Sequence, residues 1–243
     1  MMLTGKGIRK SFASGELKTQ VLKGTDLSME RGEFVSIMGR SGSGKSTLLN
    51  ILSTLETCDE GEVKFEGKEI GRLSEEEAAR LRRESFGFVF QLPRMLRNLN
   101  LLDNILLPSL QYEKNKKEAR EEALGWMEEV GIRDLAQKRI FEVSGGQLQR
   151  AGICRALIND PELIFADEPT GALDSKTGRE VMALFERLHR QGKSILLVTH
   201  DVYVAARSQR VLFMKDGLLQ GEFSPEKDAE DTPSRLQEIL RSL

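Results

Sequence analysis

The chain has little of what disulfide frameworks and structural metal centres are built from. Its 243 residues include only two cysteines, Cys58 and Cys154, and two histidines. The cysteines lie far apart, without the short spacings of metal or redox sites, so we expect a reduced protein in which Cys154 is a buried, inert thiol. The 36 lysines and arginines nearly balance the 38 aspartates and glutamates, which argues against nucleic acid as the main partner.

Long apolar runs are also missing. The most apolar segment, 101–110, is interrupted by acidic and amide side chains and by a proline, so it cannot cross a bilayer. The N-terminal residues turn polar at Thr4 and show no signal-peptide pattern. A reduced cytosolic protein is therefore the default expectation.

What the chain does contain is a phosphate-binding loop. The segment Gly39–Thr47 reads GRSGSGKST and matches the P-loop pattern, between a β-rich run at 34–38 and a helical pattern at 48–52. Its glycines allow backbone amides to face phosphates, while Lys45 would reach the β- and γ-phosphates and Ser46 would bind Mg²⁺. The predicted nucleotide-binding residues of the loop are Gly39, Ser41, Gly42, Gly44, Lys45, Ser46 and Thr47.

The order of the elements predicts an α/β fold. Continuous apolar strands at 163–166 and 194–199 flank a helical face that includes Val181 and Leu188, which indicates a parallel sheet buried on both faces. Alternation at 62–67 predicts an antiparallel strand, and the middle of the chain has helical patterns, one opened by a capping box at Ser74. Near the C-terminus, 233–243 reads as a short amphipathic helix.

Polar side chains follow several of the predicted strands. Asp167 and Glu168 come directly after 163–166, and His200 comes directly after 194–199. Because ligands of parallel sheets bind beyond the carboxyl ends of the strands, we expect these residues to join the P-loop in one site. Asp167 would hold Mg²⁺ through water, and Glu168, pointing elsewhere, would polarise an attacking water.

Two further predictions concern residues near this site. His200 could donate a hydrogen bond to the γ-phosphate, whereas the other histidine, His189, is expected to be a solvated surface residue. Gln91 ends the apolar run 88–90 and could bind Mg²⁺ or the attacking water while leading into the helical region. A purely structural alternative, in which Asp167 and Glu168 only terminate a strand, would bury two carboxylates without a cation.

A second anion-binding feature lies further along the chain. Ser144, Gly145, Gly146 and Gln147 open a predicted helix that runs to about residue 157, so free amides, a hydroxyl and the helix dipole coincide there. If the two phosphate-binding features lie on different subdomains, one chain cannot easily wrap a nucleotide with both. A two-fold dimer solves this, because each chain would cap the nucleotide of its partner. The alternative is a plain Gly-Gly turn.

Taken together, the motifs resemble those of the nucleotide-binding subunit of ABC transporters, over nearly the whole chain from about 3 to 221. The residues that carry the resemblance, in order, are Gly39–Ser46, Gln91, Val143–Gln147, Leu163–Glu168, Ala172–Asp174 and His200. It implies a P-loop NTPase of ABC type, with a mainly parallel core sheet, an antiparallel β subdomain and an inserted α-helical subdomain. The single ATPase domain would then divide into core and β subdomain at 1–90 and 160–221, helical subdomain at about 91–159, and a C-terminal tail helix at 222–243.

The resemblance also implies roles for individual residues, with ATP and Mg²⁺ as cofactors and a second copy of the chain as partner. Phe12 takes the position of the aromatic residue that stacks on adenine, in place of the commoner tyrosine. Ser144 and Gly146 would contact the γ-phosphate of the partner's ATP, with Asp174 at the dimer seam and Glu168 as the catalytic carboxylate. Valine precedes Ser144 where leucine is usual, which keeps the position apolar.

A finer resemblance points to one bacterial subgroup. The segments 32–39 and 165–176 look like those of macrolide exporters, lipoprotein-release ATPases and, most closely, bacitracin-type peptide-resistance ATPases. That resemblance implies an ATPase at the cytoplasmic face of the membrane that drives a separate integral-membrane permease, in export of or resistance to antimicrobial peptides. The segment 92–110 would receive the permease's coupling helix, although its leucines could also simply fill the helical subdomain.

The same fold also serves two other classes of function. A soluble ABC ATPase acting on DNA or ribosomes would need long coiled coils, zinc-binding cysteines or a second ATPase half, and the sequence contains none of these. A division-type or lipoprotein-release ATPase, working mechanically on a membrane partner without transport, is the main alternative. The transported molecule would be recognised by the partner.

Overall fold

Two β-sheets and a set of helices make up the fold in the computed structural model, which describes residues 1–15, 17–111, 115–225 and 231–242. The larger sheet contains, in spatial order, β10 (Leu218–Phe223), β9 (Arg210–Lys215), β3 (Phe34–Met38), β8 (Ser194–Thr199), β7 (Leu163–Asp167) and β6 (Phe86–Phe90). Its neighbouring strands are parallel except for the β9–β10 hairpin, so the predicted mainly parallel sheet is confirmed.

All neighbouring strands of the smaller sheet are antiparallel. It contains, in order, β2 (Leu17–Met29), β1 (Leu3–Ser14), β4 (Glu60–Phe65) and β5 (Lys68–Glu69). The strand predicted at 62–67 is therefore present, but its predicted end was wrong. Glu66 and Gly67 have φ angles of 50° and 75°, and this left-handed backbone turns the chain from β4 into β5.

The helices connect and cover the strands. They are α1 (Lys45–Leu52), α2 (Glu75–Ser85), α3 (Leu101–Leu106), α4 (Lys116–Glu129), α5 (Gly145–Leu157), α6 (Ser175–Arg190), α7 (Val202–Ala205) and α8 (Thr232–Ser242), with 3₁₀ turns at Leu107–Gln111, Arg133–Leu135 and Ile140–Glu142. The predicted capping box of Ser74 is confirmed, because its hydroxyl accepts from the Glu77 amide and the Glu77 carboxylate accepts from the Ser74 amide. Within the described residues, no helix has the length and apolar character needed to traverse a bilayer.

Alternate residues of the larger sheet pack into two separate cores. Ile195 and Leu197 of β8 join the helical core formed by α3, α4, α5 and α6, whereas Leu196 and Val198 join a core that contains α1 and the smaller sheet. Successive residues of a strand point to opposite faces of the sheet, so burial of all four of these residues means that the sheet is covered on both faces. The carboxyl ends of the five parallel strands, β3, β6, β7, β8 and β9, lie at one edge of this sheet.

The C-terminal helix α8 packs against β3 and β9 of the larger sheet through a third, smaller core. Leu236 is fully buried there among Met38, Ala205, Val211 and Phe213. The predicted tail at 222–243 thus begins with the end of β10 and continues into α8, while its residues 226–230 and 243 lie outside the described residues.

Two residues with sequence-based predictions, Cys154 and His189, lie outside the site. Cys154 is fully buried in α5, as predicted, and this burial raises the pKa of its thiol. The prediction for His189 was wrong, because this side chain is half-buried, with its ring centroid 5.8 Å from that of Phe34. Its position late in α6 turns it toward the start of β3 rather than toward solvent.

Candidate functional site

The loop between β3 and α1 folds tightly against the neighbouring hairpin. A Cβ atom added to Gly39 would overlap the carbonyl oxygen of Met214, so only glycine fits where β3 passes β9. Gly44, which precedes α1, has a φ of 106°, a left-handed conformation that glycine adopts without strain. These two glycines allow the backbone to turn from the strand directly into the start of the helix.

Lys45 lies inside the loop that it follows. Its side chain is buried, with 7% of the residue's surface exposed, and its Nζ donates to the carbonyl oxygens of Gly39 at 2.9 Å and Arg40 at 3.1 Å. Burial lowers the pKa of Lys45, and the negative charges of Glu168 and Asp167 oppose that shift. The Lys45 ammonium is thus held by two backbone carbonyls of the loop and lies near the carboxylates of Asp167 and Glu168.

Asp167 ends β7 next to the first turn of α1. Its Oδ1 accepts a hydrogen bond of 3.0 Å from the Ser46 hydroxyl. Burial raises the pKa of Asp167, and the nearby charge of Glu168 raises it further, while the Ser46 hydrogen bond and the charge of Lys45 oppose the rise. A carboxylate in such a place is stabilised by an added cation, and a carboxylate beside a hydroxyl is a donor set that suits Mg²⁺.

Glu168 contacts different partners from its neighbour, as its position in the sequence suggests. Its φ of 45° is unusual for a residue with a side chain. Oε1 lies 2.8 Å from Nδ1 of His200, and Oε2 accepts a hydrogen bond of 3.1 Å from the Thr199 hydroxyl. The sequence placed Glu168 and His200 in one site but gave no sign that they contact each other or that Thr199 takes part.

These groups surround one cavity of about 940 Å³ at the edge of the larger sheet. All of the predicted residues of the P-loop and strand ends line it, together with Phe12 and Gln91: Gly39, Ser41, Gly42, Gly44, Lys45, Ser46, Thr47, Asp167, Glu168 and His200. Phe12 is 43% exposed, and the Nζ of Lys10 lies 5.3 Å from its ring centroid. The wall of the cavity therefore combines an aromatic ring with backbone amides and charged side chains.

The sequence missed five further residues that line the cavity. Two are close to motifs, Val21 on β2 and Arg40 within the P-loop, and three belong to α8, namely Gln237, Leu240 and Arg241. The amphipathic pattern of the C-terminal segment was visible in the sequence, and it predicts a helix. No local signal says which surface that helix covers, because its packing partners come from β3, β9 and α7.

The remaining predicted residues form a second surface and do not line this cavity. Ser144 caps α5, where its hydroxyl accepts from the Gln147 amide and its own amide donates to the Gln147 side chain. Asp174 caps α6 by accepting from the amides of Lys176 and Thr177, and the hydrogen bond from the Thr177 hydroxyl lowers the pKa of Asp174.

The beginnings of α5 and α6 are in contact. A Cβ atom added to Gly146 would lie 2.6 Å from Cγ2 of Thr177, the residue whose hydroxyl binds the carboxylate of Asp174. Gly145 is exposed and has open space around it. The amides of Gly145 and Gly146 stand in the first turn of α5, where an α-helix offers no intrahelical acceptor. Ser144–Gln147 and Asp174 therefore share one surface with free donors.

The sequence pattern of one known family, described as ABC transporter, matches residues 22–171, which is more than half of the chain. The chain belongs to the ABC transporter family. Its fold is that of the family's ATP-binding domain, so the predicted family, fold class and macrolide-exporter subgroup are confirmed. The finer likeness to bacitracin-type ATPases is untested and remains a prediction.

Curated relatives in the ABC transporter family include two macrolide exporters. The macrolide export ATP-binding/permease protein MacB of Rhodopseudomonas palustris is 44% identical over 214 residues, which is 88% of this chain and 33% of that protein. The protein of the same name from Neisseria gonorrhoeae is 43% identical over 235 residues, 96% of this chain and 36% of that protein. The chain thus spans about a third of the length of these relatives.

Solved ABC structures resemble the chain over nearly all of its length. The dimeric ATP-binding cassette MJ0796, in a post-hydrolysis state with bound ADP and phosphate, is 39% identical with a TM-score of 0.87, covering 93% of this chain and 100% of that one. The ADP conformation of MJ1267, an ATP-binding cassette of an ABC transporter, is 28% identical with a TM-score of 0.81, covering 100% of this chain and 99% of that one.

Proposed function

We propose that this ABC cassette binds and hydrolyses ATP. The observation that carries the proposal is the convergence of the P-loop, Asp167, Glu168 and His200 on one cavity that also has Phe12 on its wall. The aromatic ring offers a stacking surface for adenine, and the loop amides with Lys45 offer a cradle for the phosphates. The likeness to MJ0796, which binds ADP and phosphate in a post-hydrolysis state, supports the same reaction here.

We assign the metal-binding role to oxygen donors at the phosphate end of the cavity. Ser46, Asp167 and Gln91 would hold Mg²⁺, which when bound supplies positive charge beside the phosphates. The Lys45 ammonium already lies against the loop. It can bind the β- and γ-phosphates by exchanging its two carbonyl acceptors for phosphate oxygens. The four side chains together bind and orient the nucleotide.

Glu168 is the residue that we propose to accept a proton from the attacking water. The Thr199 hydroxyl and the His200 ring hold its two carboxylate oxygens in place, so the carboxylate has a fixed orientation before any nucleotide binds. His200 can then donate to the γ-phosphate once the pair separates or its ring turns. Holding the carboxylate in this way reduces the reorganisation needed during the reaction.

We further propose that two chains form a dimer around two ATP molecules. Ser144, Gly145, Gly146 and Gln147, together with Asp174, lie outside the cavity of their own chain and present the donors that a phosphate would need. In an isologous dimer they would complete the cavity of the partner. The dimeric state of MJ0796 supports this arrangement.

The partner that we propose for this dimer is an integral-membrane permease, which would hold it at the cytoplasmic face of the membrane. Large apolar side chains are exposed on the helical region, at 91–159 by the predicted boundaries, and could receive a helix of that partner: Leu92 at 70%, Leu96, Leu110 at 64% and Phe141. The relatives named above combine ATP-binding and permease in their names and export macrolides. We propose export of antimicrobial compounds, with peptides as the class that the sequence favours.

The substitution Glu168→Gln tests the proposal most directly. It keeps the shape of the side chain but removes the proton acceptor, so we expect ATP to bind, turnover to stop, and an ATP-bound dimer to accumulate. Size-exclusion chromatography with light scattering, with and without ATP, measures this dimer. The matched control is Glu62→Gln, an exposed carboxylate on β4 away from the cavity. A monomer with ATP bound to Glu168→Gln would contradict the sandwich dimer.

A further inference from the structure

One buried amide connects the two surfaces described above. Gln149 lies on α5, one helical turn after Gly145, and only 1% of its surface is exposed. Its Nε2 donates to the carbonyl oxygen of Phe90 at 3.0 Å and to that of Pro169 at 2.9 Å. The Gln149 side chain, on the helix that begins at the second surface, therefore donates hydrogen bonds to backbone carbonyls at the ends of two strands beside the cavity.

The two acceptors stand next to the predicted reacting groups. Phe90 ends β6 and is followed directly by Gln91, and Pro169 directly follows Glu168. Because a backbone carbonyl moves with the peptide unit that it belongs to, any shift of α5 relative to these strand ends is carried to both positions. The amide thus fixes α5 with respect to Gln91 and Glu168 at the same time.

Stability alone is a poor explanation for a glutamine at this place. Its Oε1 is buried and has no hydrogen-bond partner among the described residues. A buried acceptor without a partner destabilises the folded state, so the gain from the two donated bonds is partly cancelled. What sets Gln149 apart from other buried amides is therefore the place of its two acceptors, directly beside Gln91 and Glu168.

We propose that Gln149 is a positioning residue that couples the partner-facing start of α5 to Gln91 and Glu168. This inference deepens the ATPase function proposed above and rests on it. When the partner's nucleotide binds the start of α5, the shift of that helix reaches the Glu168 carboxylate through Pro169 and reaches Gln91 through Phe90. The coupling is reciprocal, so the state of the cavity also sets the position of α5.

The chain offers a matched control for the test. The Nδ2 of Asn159 also donates to two backbone carbonyls, those of Arg83 at 3.1 Å and Pro108 at 3.2 Å, and its Oδ1 is also buried without a hydrogen-bond partner among the described residues. Asn159 does not line the cavity. Replacing either amide by leucine removes the same number of hydrogen bonds, but only Gln149→Leu disconnects α5 from the strand ends.

The experiment compares the full chain with the variants Gln149→Leu and Asn159→Leu. We expect both to lose stability in urea unfolding by similar amounts and to bind a fluorescent ATP analogue within about twofold of the unaltered chain, a range smaller than typical coupling between sites. Turnover at saturating ATP, per folded molecule, should fall by at least about fivefold in Gln149→Leu alone. Gln149→Asn, which keeps the amide but shortens the side chain by one methylene group, is the second variant if the leucine variant does not fold, and should lower turnover in the same direction.

Two results would overturn the inference. One is equal turnover in the Gln149 and Asn159 variants, and the other is a fall in turnover that is matched by an equal loss of ATP affinity, which would indicate general damage to the cavity. Absence of turnover in the unaltered chain would contradict the proposed ATPase function itself, and the inference with it.

Discussion

At the scale of single residues, the site combines charges that the fold has already partly desolvated. Lys45 is buried against two loop carbonyls, and Asp167 has a raised pKa because burial disfavours its charge. A magnesium–nucleotide complex brings both negative oxygens for the lysine and a cation for the carboxylate. The same ligand therefore offsets the desolvation of the Lys45 ammonium and that of the Asp167 carboxylate.

Replacing Lys45 by methionine tests this view of the loop. The substitution keeps the apolar stem and removes the charge, so we expect a stable protein whose ATP turnover falls by at least about a hundredfold, as when a positioned electrostatic donor is removed. The control is Lys64→Met, because Lys64 is partly exposed, does not line the cavity and pairs only with Glu62 among the described residues. Turnover close to that of the unaltered chain in Lys45→Met would mean that the nucleotide binds elsewhere.

At the scale of secondary-structure elements, α8 is the part of the site that the sequence could not place. Its three cavity-lining residues reach the P-loop because Leu236 anchors the helix among Met38, Ala205, Val211 and Phe213. Met38 directly precedes the P-loop, and α7 begins shortly after His200. The helix therefore packs next to the P-loop, through Met38, and next to the short helix that follows His200, through Ala205.

Truncating the buried anchor of α8 should weaken the fold. For Leu236→Ala we expect a loss of about 2–5 kcal/mol in the free energy of unfolding, because a fully buried leucine leaves a cavity when it is shortened. Urea unfolding measures this loss. Leu55→Ala, at an exposed position, should change the free energy of unfolding by no more than about 0.5 kcal/mol. Equal values for the two variants would show that α8 is not docked in solution.

At the scale of the whole molecule, the division of the predicted residues between two surfaces is the main feature. The cavity contains the P-loop and strand-end groups, and the other surface contains the caps of α5 and α6. A proposed dimer would combine one surface from each chain. The active unit would then be made of two chains, and each of its two sites would depend on both.

Mixing two inactive variants tests this composite site. Gly145→Asp adds a negative charge at an exposed position with open space around it, so the fold should tolerate it while the partner's phosphates are repelled. Lys45→Met disables the cavity. Each variant alone should lack turnover, but a mixture should regain it, because one heterodimer site has an intact cavity and an intact α5. A mixture as inactive as its components would contradict sites shared between chains.

The elements whose causes are local could be predicted from the amino-acid sequence. Glycine and lysine spacing identified the P-loop, apolar periodicity identified the strands and helices, and strand order predicted which groups meet at one edge. The family resemblance added the positions of Phe12 and Asp174. Three contacts are visible only in the three-dimensional structure: Glu168 contacts His200 and Thr199, Gln149 donates hydrogen bonds to Phe90 and Pro169, and α8 lines part of the cavity. These contacts join residues distant in the chain, and their geometry depends on how the sheets and helices pack, which no local pattern encodes.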